Sequence, residues 1–539
     1  LRKTAMTLRL RNRLTDWNPQ LFREFKGRLK PRNVALAVTG SLLGQLFVLF
    51  YFWSQLPGEG STYSQYCLKN RSYDCIHDAM GNLAINWAAW WLDIFRVLGL
   101  GSFLILLIGG VYTLTADLAE EQRRGTLNFI RLSPQSSQSI LTGKILGVPA
   151  LIYLAFALSL PLQWWAGLAA GVPFQAILGG YALSGAVCFF FYSAALLYVL
   201  IGGAQAWIAS LAAGGWVWPF IIIADAIVAE TIKKNSTYNM LEFGKLNWFF
   251  LPIGTNFTLL YGLAMLNLGL WTWGIWQALN RRFGNPSATV ISKKQSYLAV
   301  ACFEVLMLGF ALPTLATNPS KYTLFGQLCL VATLNLCWFI AMIAAMSPDR
   351  QALLDWARYR STGTQSFQNR SVVRDLILGE KSPMPVAIAI QLAIAAAIWV
   401  LWILLWPENE GKLQAILGVI ASVNLVLIYA ALAQLMLLIK ARKPAIWAAG
   451  TVGAAIFLPL VVLLLMSATP DKAPLLWLFS ILPWLALEHA SATTVFLAFF
   501  AHWSVLGLLS AVLTRKLQRA GESASKALLA GGIRNRVSE

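Results

Sequence analysis

The chain has 539 residues, of which 58% are hydrophobic and only 12% charged, and its mean hydropathy is +0.62. A soluble domain carries roughly 25% charged residues, so that class is excluded, and the length leaves room for about a dozen spans of roughly 20 residues. The net charge of +19 would suit a nucleic-acid partner, but its placement points to a membrane surface instead.

Residues 1–33 hold ten Lys/Arg against two acids, Asp16 and Glu24. They contain no apolar core of a signal peptide. Asn18 caps and Pro19 opens a helix with Leu21, Phe22, Phe25 and Leu29 on one side, opposite Arg23, Lys26 and Lys30. That is a basic amphipathic helix suited to an anionic membrane surface. As a nucleic-acid arm, its apolar stripe would have no partner.

The predicted spans follow in order. Val34–Leu56, Val97–Ala116, Ile145–Trp165, Phe174–Ile201, Gln205–Ala229 and Phe257–Leu279 make a first set. Tyr297–Leu312, Leu324–Met346, Val386–Trp406, Ile416–Ile439, Ala445–Met466 and Thr493–Leu513 make a second. Trp87, Trp90, Trp91 and Phe95 sit at helical spacing, as in an interfacial helix of the aromatic belt. The proline-interrupted stretches 245–256 and 477–487 read as external re-entrant or interfacial pieces. With the N-terminus inside, internal segments carry 33 Lys/Arg and external ones 8, a strong positive-inside bias. The expected fold is therefore an all-α polytopic membrane protein of about twelve transmembrane helices in two six-helix halves, both termini cytoplasmic.

Between the second and third spans lies a polar island, residues 117–144, DLAEEQRRGTLNFIRLSPQSSQSILTGK. It is longer than a turn needs. Gly125 can end the preceding helix, Thr126 can cap a short one with Leu127, Ile130 and Arg131 at helical spacing, and Ser133-Pro134 can start the next. The alternative is a solvated loop with incidental charges. Cys67 and Cys75 share the first external loop, where a disulfide fits an oxidising exterior. Cys188, Cys302, Cys329 and Cys337 lie in spans as small hydrophobes.

The halves read as repeats. Gly143-Lys144 stands before the third span of the first half where Gly379-Glu380-Lys381 stands in the second, each with a proline shortly after. Each half has its longest internal loop after its second span and a basic segment before its first.

The run Glu120-Glu121, Gly125-Thr126-Leu127, Leu132-Ser133-Pro134 and Gly143-Lys144 resembles the cytoplasmic segment of ABC-2 type transporter permeases. Asn18-Pro19, Arg23-Glu24 and Gly27-Arg28 are similar to the amphipathic connecting helix of that family. The resemblance covers about residues 15–165. It implies a bacterial inner-membrane permease whose short coupling helix, here Thr126 to Leu132 with Glu120, Glu121 and Arg124 beside it, docks on a separate cytoplasmic ATPase. ATP and Mg would be bound by that partner, and none by this chain. The implied layout is a connecting helix (1–33), a first half (34–280) with coupling segment 117–144, and a linker (281–296). A second half (297–514) with cytoplasmic loop 347–383 and a basic tail (515–539) complete it. The second half lacks the Glu-Glu to Gly-Thr-Leu run; a helix from Asp349 to Tyr359, with Leu353, Leu354 and Trp356 on its apolar side, is a divergent candidate for a coupling element.

The chain has no Gly-x-x-x-x-Gly-Lys-Ser/Thr phosphate loop, so ATP hydrolysis would belong to another polypeptide. His77, His489 and His502 are far apart and offer no metal spacing. Asp225, Glu304 and Glu488 lie in or beside apolar runs, with Glu304 and Asp225 the intramembrane acid candidates. Trp271, Trp273, Trp276 and Trp399, Trp402, Trp406 read as interfacial anchors rather than a substrate platform. Two further functions stay open: an ion-coupled secondary transporter using Glu304 or Asp225, and a membrane-embedded transferase on lipid-linked substrate, for which Asp74 and Asp78 are the nearby external pair.

Overall fold

A computed structural model describes residues 17–58, 64–68, 75–76, 83–218, 221, 246–317, 320–361 and 372–521. Two compact units divide the chain, Leu1–Lys245 with Ile253–Pro286, and Leu246–Pro252 with Ser287–Glu539. Among the described residues, eleven helices are long and apolar enough to cross a membrane, five in the first unit and six in the second. The architecture is that of an all-α, multi-pass membrane protein. The remaining expected span, Gln205–Ala229, is described only at its start, and Asp225 lies outside the described residues.

The first unit opens with α1 (Pro19–Arg28), whose N-cap Asn18 accepts from Leu21 N with Pro19 in the first turn. After α2 (Pro31–Ser54), α3 (Trp87–Leu104) and α4 (Gly110–Arg123) run on through a π-turn, Ile105–Gly109. The tryptophan-rich stretch Trp87–Phe95 is thus the start of a long helix and not a separate interfacial one. A π-turn weakens the backbone ladder. Here Tyr192 Oη donates to Leu106 O at 2.5 Å, and Gly110 leaves room for that ring, since a Cβ there would meet the hydroxyl at 2.1 Å. Then come α5 (Thr126–Arg131), α6 (Ser137–Gly147), α7 (Ala150–Ala169), α8 (Phe174–Leu200), α9 (Ala206–Trp216) and α10 (Phe257–Gly284). The core gathers Leu107, Leu114 and Leu118 of the long helix with Leu141 of α6, Val187 and Leu196 of α8 and Leu279 of α10. Exposed Phe47, Phe50 and Trp53 on α2 suit lipid. Between helices in lipid, close packing and hydrogen bonds replace water exclusion as the main attraction.

The second unit comprises α11 (Lys293–Ala311), α12 (Thr314–Thr317), α13 (Lys321–Met346), α14 (Arg350–Ser361), α15 (Val372–Leu378), α16 (Pro385–Leu404), α17 (Lys412–Leu437), α18 (Pro444–Leu465), α19 (Pro474–Leu478), α20 (Trp484–Leu487) and α21 (Ala492–Gly521). Ser292 and Gln295 form a reciprocal capping box at α11. Trp399, Trp402 and Trp406 line one face of α16 and its C-terminal end, and all three are buried in the core. They pack edge to face, Trp399 donates to Glu304 and Trp402 to Ala311 O. The expectation of interfacial anchors is corrected here, because each indole finds an apolar or hydrogen-bonding neighbour inside the bundle. Trp273 is exposed, whereas Trp276 donates to Ser193 of α8.

Candidate functional site

The polar island is pinned by a buried charge cluster. Lys144 of α6 is 1% exposed, and its ammonium lies 2.7 Å from Asp117, 2.9 Å from Glu121 and 3.6 Å from Glu24. Asp117 and Glu121 are one turn apart on α4, and Glu24 comes from α1. Nζ donates a hydrogen bond to Asp117 and meets the other two as ion pairs. Arg28 reaches Asp117 at 2.5 Å and Glu24 at 3.3 Å, and Arg23 reaches Glu121 at 2.7 Å and Glu24 at 3.4 Å. Three cations therefore interleave with three carboxylates. A charge removed from water is tolerated only with such pairing. Carboxylate oxygens of Glu24, Asp117 and Glu121 lie within 4.8 Å of one another, close enough to serve as a metal donor set. The cation they surround is the lysine ammonium.

Two glycines let α1 come this close. A Cβ on Gly143 would stand 2.6 Å from Asn18 Oδ1 and 3.0 Å from Leu21 N, and one on Gly147 would stand 2.5 Å from Glu24 Cβ. Asn18 also donates to Ser139 O at 2.7 Å, tying the cap of α1 to α6. Consequently α1 does not lie free on a surface. Asn18, Gln20, Leu21 and Glu24 are buried, while Lys26 and Leu29 remain exposed and Phe22 and Phe25 are half-buried.

The short helix α5 is held at both ends. Gly125 takes the left-handed conformation, φ 74°, and ends α4. Gly125 is also the N-cap of α5, so Thr126 is not the cap as expected; its hydroxyl donates to Glu121 O at 3.2 Å. Leu127 is buried in the core of the first unit and Ile130 packs partly against it. Arg131 lies over the Phe283 ring, and burial, then the neighbouring Arg282, lower its pKa from the ordinary value. Ser133 donates to Ile130 O at 2.7 Å, and Pro134 follows it in the connecting turn. The cap of α6 is Ser136, which accepts from Ser139 N, so the Ser133-Pro134 start is displaced by three residues.

What α5 presents outward is Phe129, 77% exposed, and Leu132, 84% exposed. Glu120 pairs with Arg123 and Arg124 on the nearby surface. Of the expected coupling residues, Leu127 and Ile130 face the core, and the outward apolar pair was not singled out. Its signal is legible in hindsight: 127/130 and 129/132 are both apolar at i,i+3, which makes so short a helix apolar on two faces.

The other expected residues separate. Cys67 and Cys75 are joined by a disulfide, with Cα atoms 5.4 Å apart. Glu304 is fully buried in the second unit, accepting from Trp399 at 2.7 Å and Asn335 at 3.4 Å. Glu488 pairs with Lys321 at 3.2 Å. Asp74, Asp78 and His77 lie outside the described residues. The sequence parallel of Lys144 with Lys381 does not extend to environment, because Lys381 is exposed. Among the described residues, the buried lysine of the second unit is Lys293 at the head of α11, donating to Leu376 O, Ser382 Oγ and Pro383 O at 2.7 to 3.1 Å. In α14, Leu353 and Ala357 are buried and Leu354 and Trp356 half-buried, so the apolar side expected to couple is spent on the unit itself.

No family model, curated protein or solved structure matches this chain.

Proposed function

We propose that the chain is the permease subunit of an ATP-driven transporter, acting as an exporter whose ATPase is a separate cytoplasmic polypeptide docking on α5. The observation that carries this reading is the exposed Phe129–Leu132 pair on a helix locked from behind. Gly125 sets its direction, Leu127 anchors it, and the Lys144 cluster ties the adjoining α4 and α6 to α1. A loop that merely reverses the chain needs none of these. An apolar knob on a rigid base transmits displacement in both directions, which is what coupling to a motor requires. The resemblance to ABC-2 permeases in the same residues supports the assignment. The positive-inside bias supports cytoplasmic termini, and the bacterial inner-membrane location rests on the family resemblance alone. Half-buried Phe22 and Phe25 beside exposed Lys26 and Lys30 give α1 a side suited to lipid headgroups. In this proposal the chain has no catalytic role, and ATP and Mg bind to the partner.

The test is purification from native membranes under mild detergent, followed by identification of co-purifying polypeptides and an ATP hydrolysis assay. Recovery of a phosphate-loop ATPase in stoichiometric amount, lost on Phe129→Asp, supports the reading. A fully active transporter containing no ATPase overturns it. Complete burial of Glu304 favours a second reading, ion-coupled transport. Reconstituted transport driven by an ion gradient without ATP would select it.

A further inference from the structure

The turn that joins α17 to α18, residues 438–443, reads LIKARK and carries three cations in four positions, Lys440, Arg442 and Lys443. All three are exposed, and among the described residues none forms an ion pair. A fourth cation joins them: Arg350, at the head of α14, donates from Nε to Leu438 O at 3.2 Å. Asp349, next to Arg350 in the chain, pairs with none of the four. A reversal between two spans needs only a few residues of any kind. Here like charges are crowded into it, and no ion pair within the described chain offsets their repulsion.

Other cations beside the spans are spent inside the protein. Lys321 at the head of α13 pairs with Glu488, and Arg23 and Arg28 of α1 are held by Glu121 and Asp117. The turn after α17 differs also in what adjoins it. In the first turn of α18, Ile446 and Trp447 are 62% and 63% exposed. Both flanking helices are long and apolar enough to cross a membrane, so the cations stand at headgroup level with an indole on the hydrocarbon side. The complement of such a surface is a negative headgroup that carries its own hydrocarbon.

We propose that this turn binds an anionic phospholipid of the adjoining leaflet, its phosphate held by Lys440, Arg442 and Lys443 and its acyl chain laid against Ile446 and Trp447. The planar guanidinium of Arg442 can take two phosphate oxygens at once, while the flexible lysines act as point charges on the same group. A zwitterionic lipid brings its own cation and leaves the excess charge of the turn uncompensated. A soluble anion satisfies the charges and gains nothing from the apolar pair. Because α17 packs against α13, α16, α18 and α21, a lipid bound at its end braces the centre of the second unit. The proposal needs only that the two helices span a bilayer, so it and the ATPase reading can fail separately.

The probe is phosphatidylglycerol with a diazirine near the carbonyl end of one acyl chain, compared with phosphatidylcholine carrying the same chain. Each is added in trace amount to phosphatidylcholine nanodiscs holding the full chain, and after illumination the adducts are mapped by digestion and mass spectrometry. Phosphatidylglycerol should label the Ile446–Trp447 turn at least about tenfold more than phosphatidylcholine, well within what three cations beside an anionic lipid supply. Changing Lys440, Arg442 and Lys443 together to Gln should lower its labelling to the phosphatidylcholine level. Excess soluble glycerol phosphate should leave the wild-type labelling in place. The wild-type comparison of the two lipids decides the matter alone if the triple variant fails to insert. Equal labelling by the two lipids, undiminished labelling in the triple variant, or displacement by glycerol phosphate would each overturn the proposal.

Discussion

Replacing Lys144 by Met keeps the length of the side chain and removes the ammonium at the centre of three carboxylates. The oxygens of Glu24, Asp117 and Glu121 lie within 4.8 Å of one another. At that separation and an effective dielectric constant of about 20, each pair repels by roughly 3 kcal/mol. Arg23 and Arg28 remain and offset part of this, so the net loss is set at about 3–5 kcal/mol, the usual cost of stripping one partner from a buried ion pair. The strain falls on the seam between α1 and α6, where the glycines leave no slack, and the spans have their own packing. At about 1.4 kcal/mol per decade, opening of α1 should rise by roughly a hundredfold or more. Limited trypsinolysis in detergent reads this directly, as the rate of cleavage at Arg23 and Lys26 followed by mass spectrometry. Membrane levels should stay normal. Adding Asp117→Asn and Glu121→Gln to Lys144→Met removes the repulsion and should restore most of the protection. Wild-type cleavage rates in Lys144→Met, or no recovery in the triple variant, would refute the electrostatic account.

Gly147→Ala forces a methyl group into Glu24 and should destabilise the same seam by about 1–3 kcal/mol, visible as a lower melting temperature and faster cleavage in α1. Phe129→Asp with Leu132→Asp alters exposed positions, so thermal stability should shift by no more than about 0.5 kcal/mol while ATPase association and transport are lost; unchanged association would detach α5 from coupling. Cys67 and Cys75 should react with a membrane-impermeant thiol reagent applied outside the cell only after reduction. Labelling only from the cytoplasmic side would invert the assumed topology.

The features that sequence patterns captured are those fixed by neighbours in the chain. Asn18-Pro19 opens α1 and Gly125 ends α4 because caps and left-handed turns are decided within a few residues. The shift from Ser133 to Ser136 shows the limit, since several serines in one stretch offer equivalent caps. The cluster around Lys144 was not legible, because its acids come from α1 and α4 and only folding brings them together. The indoles of α16 were misread for a different reason. Tryptophans at helical spacing fit a lipid interface and a bundle core equally well, and burial depends on what the neighbouring helices offer. The same ambiguity hid Phe129 and Leu132, whose apolar character says nothing about which side of α5 faces in.

The π-turn in the second long helix separates the two jobs that helix performs. A helix turns by about 100° and rises about 1.5 Å per residue, so one residue barely alters its span but swings everything beyond it. Deleting a single residue within 105–109 would return the stretch to regular α geometry and rotate residues 110–123 against 87–104. Asp117 and Glu121 would swing away from Lys144 while the helix still crossed the bilayer. The length of this segment is therefore tuned as an angle and not as a thickness. Its tolerance for insertions and deletions should be lower at 105–109 than hydropathy suggests.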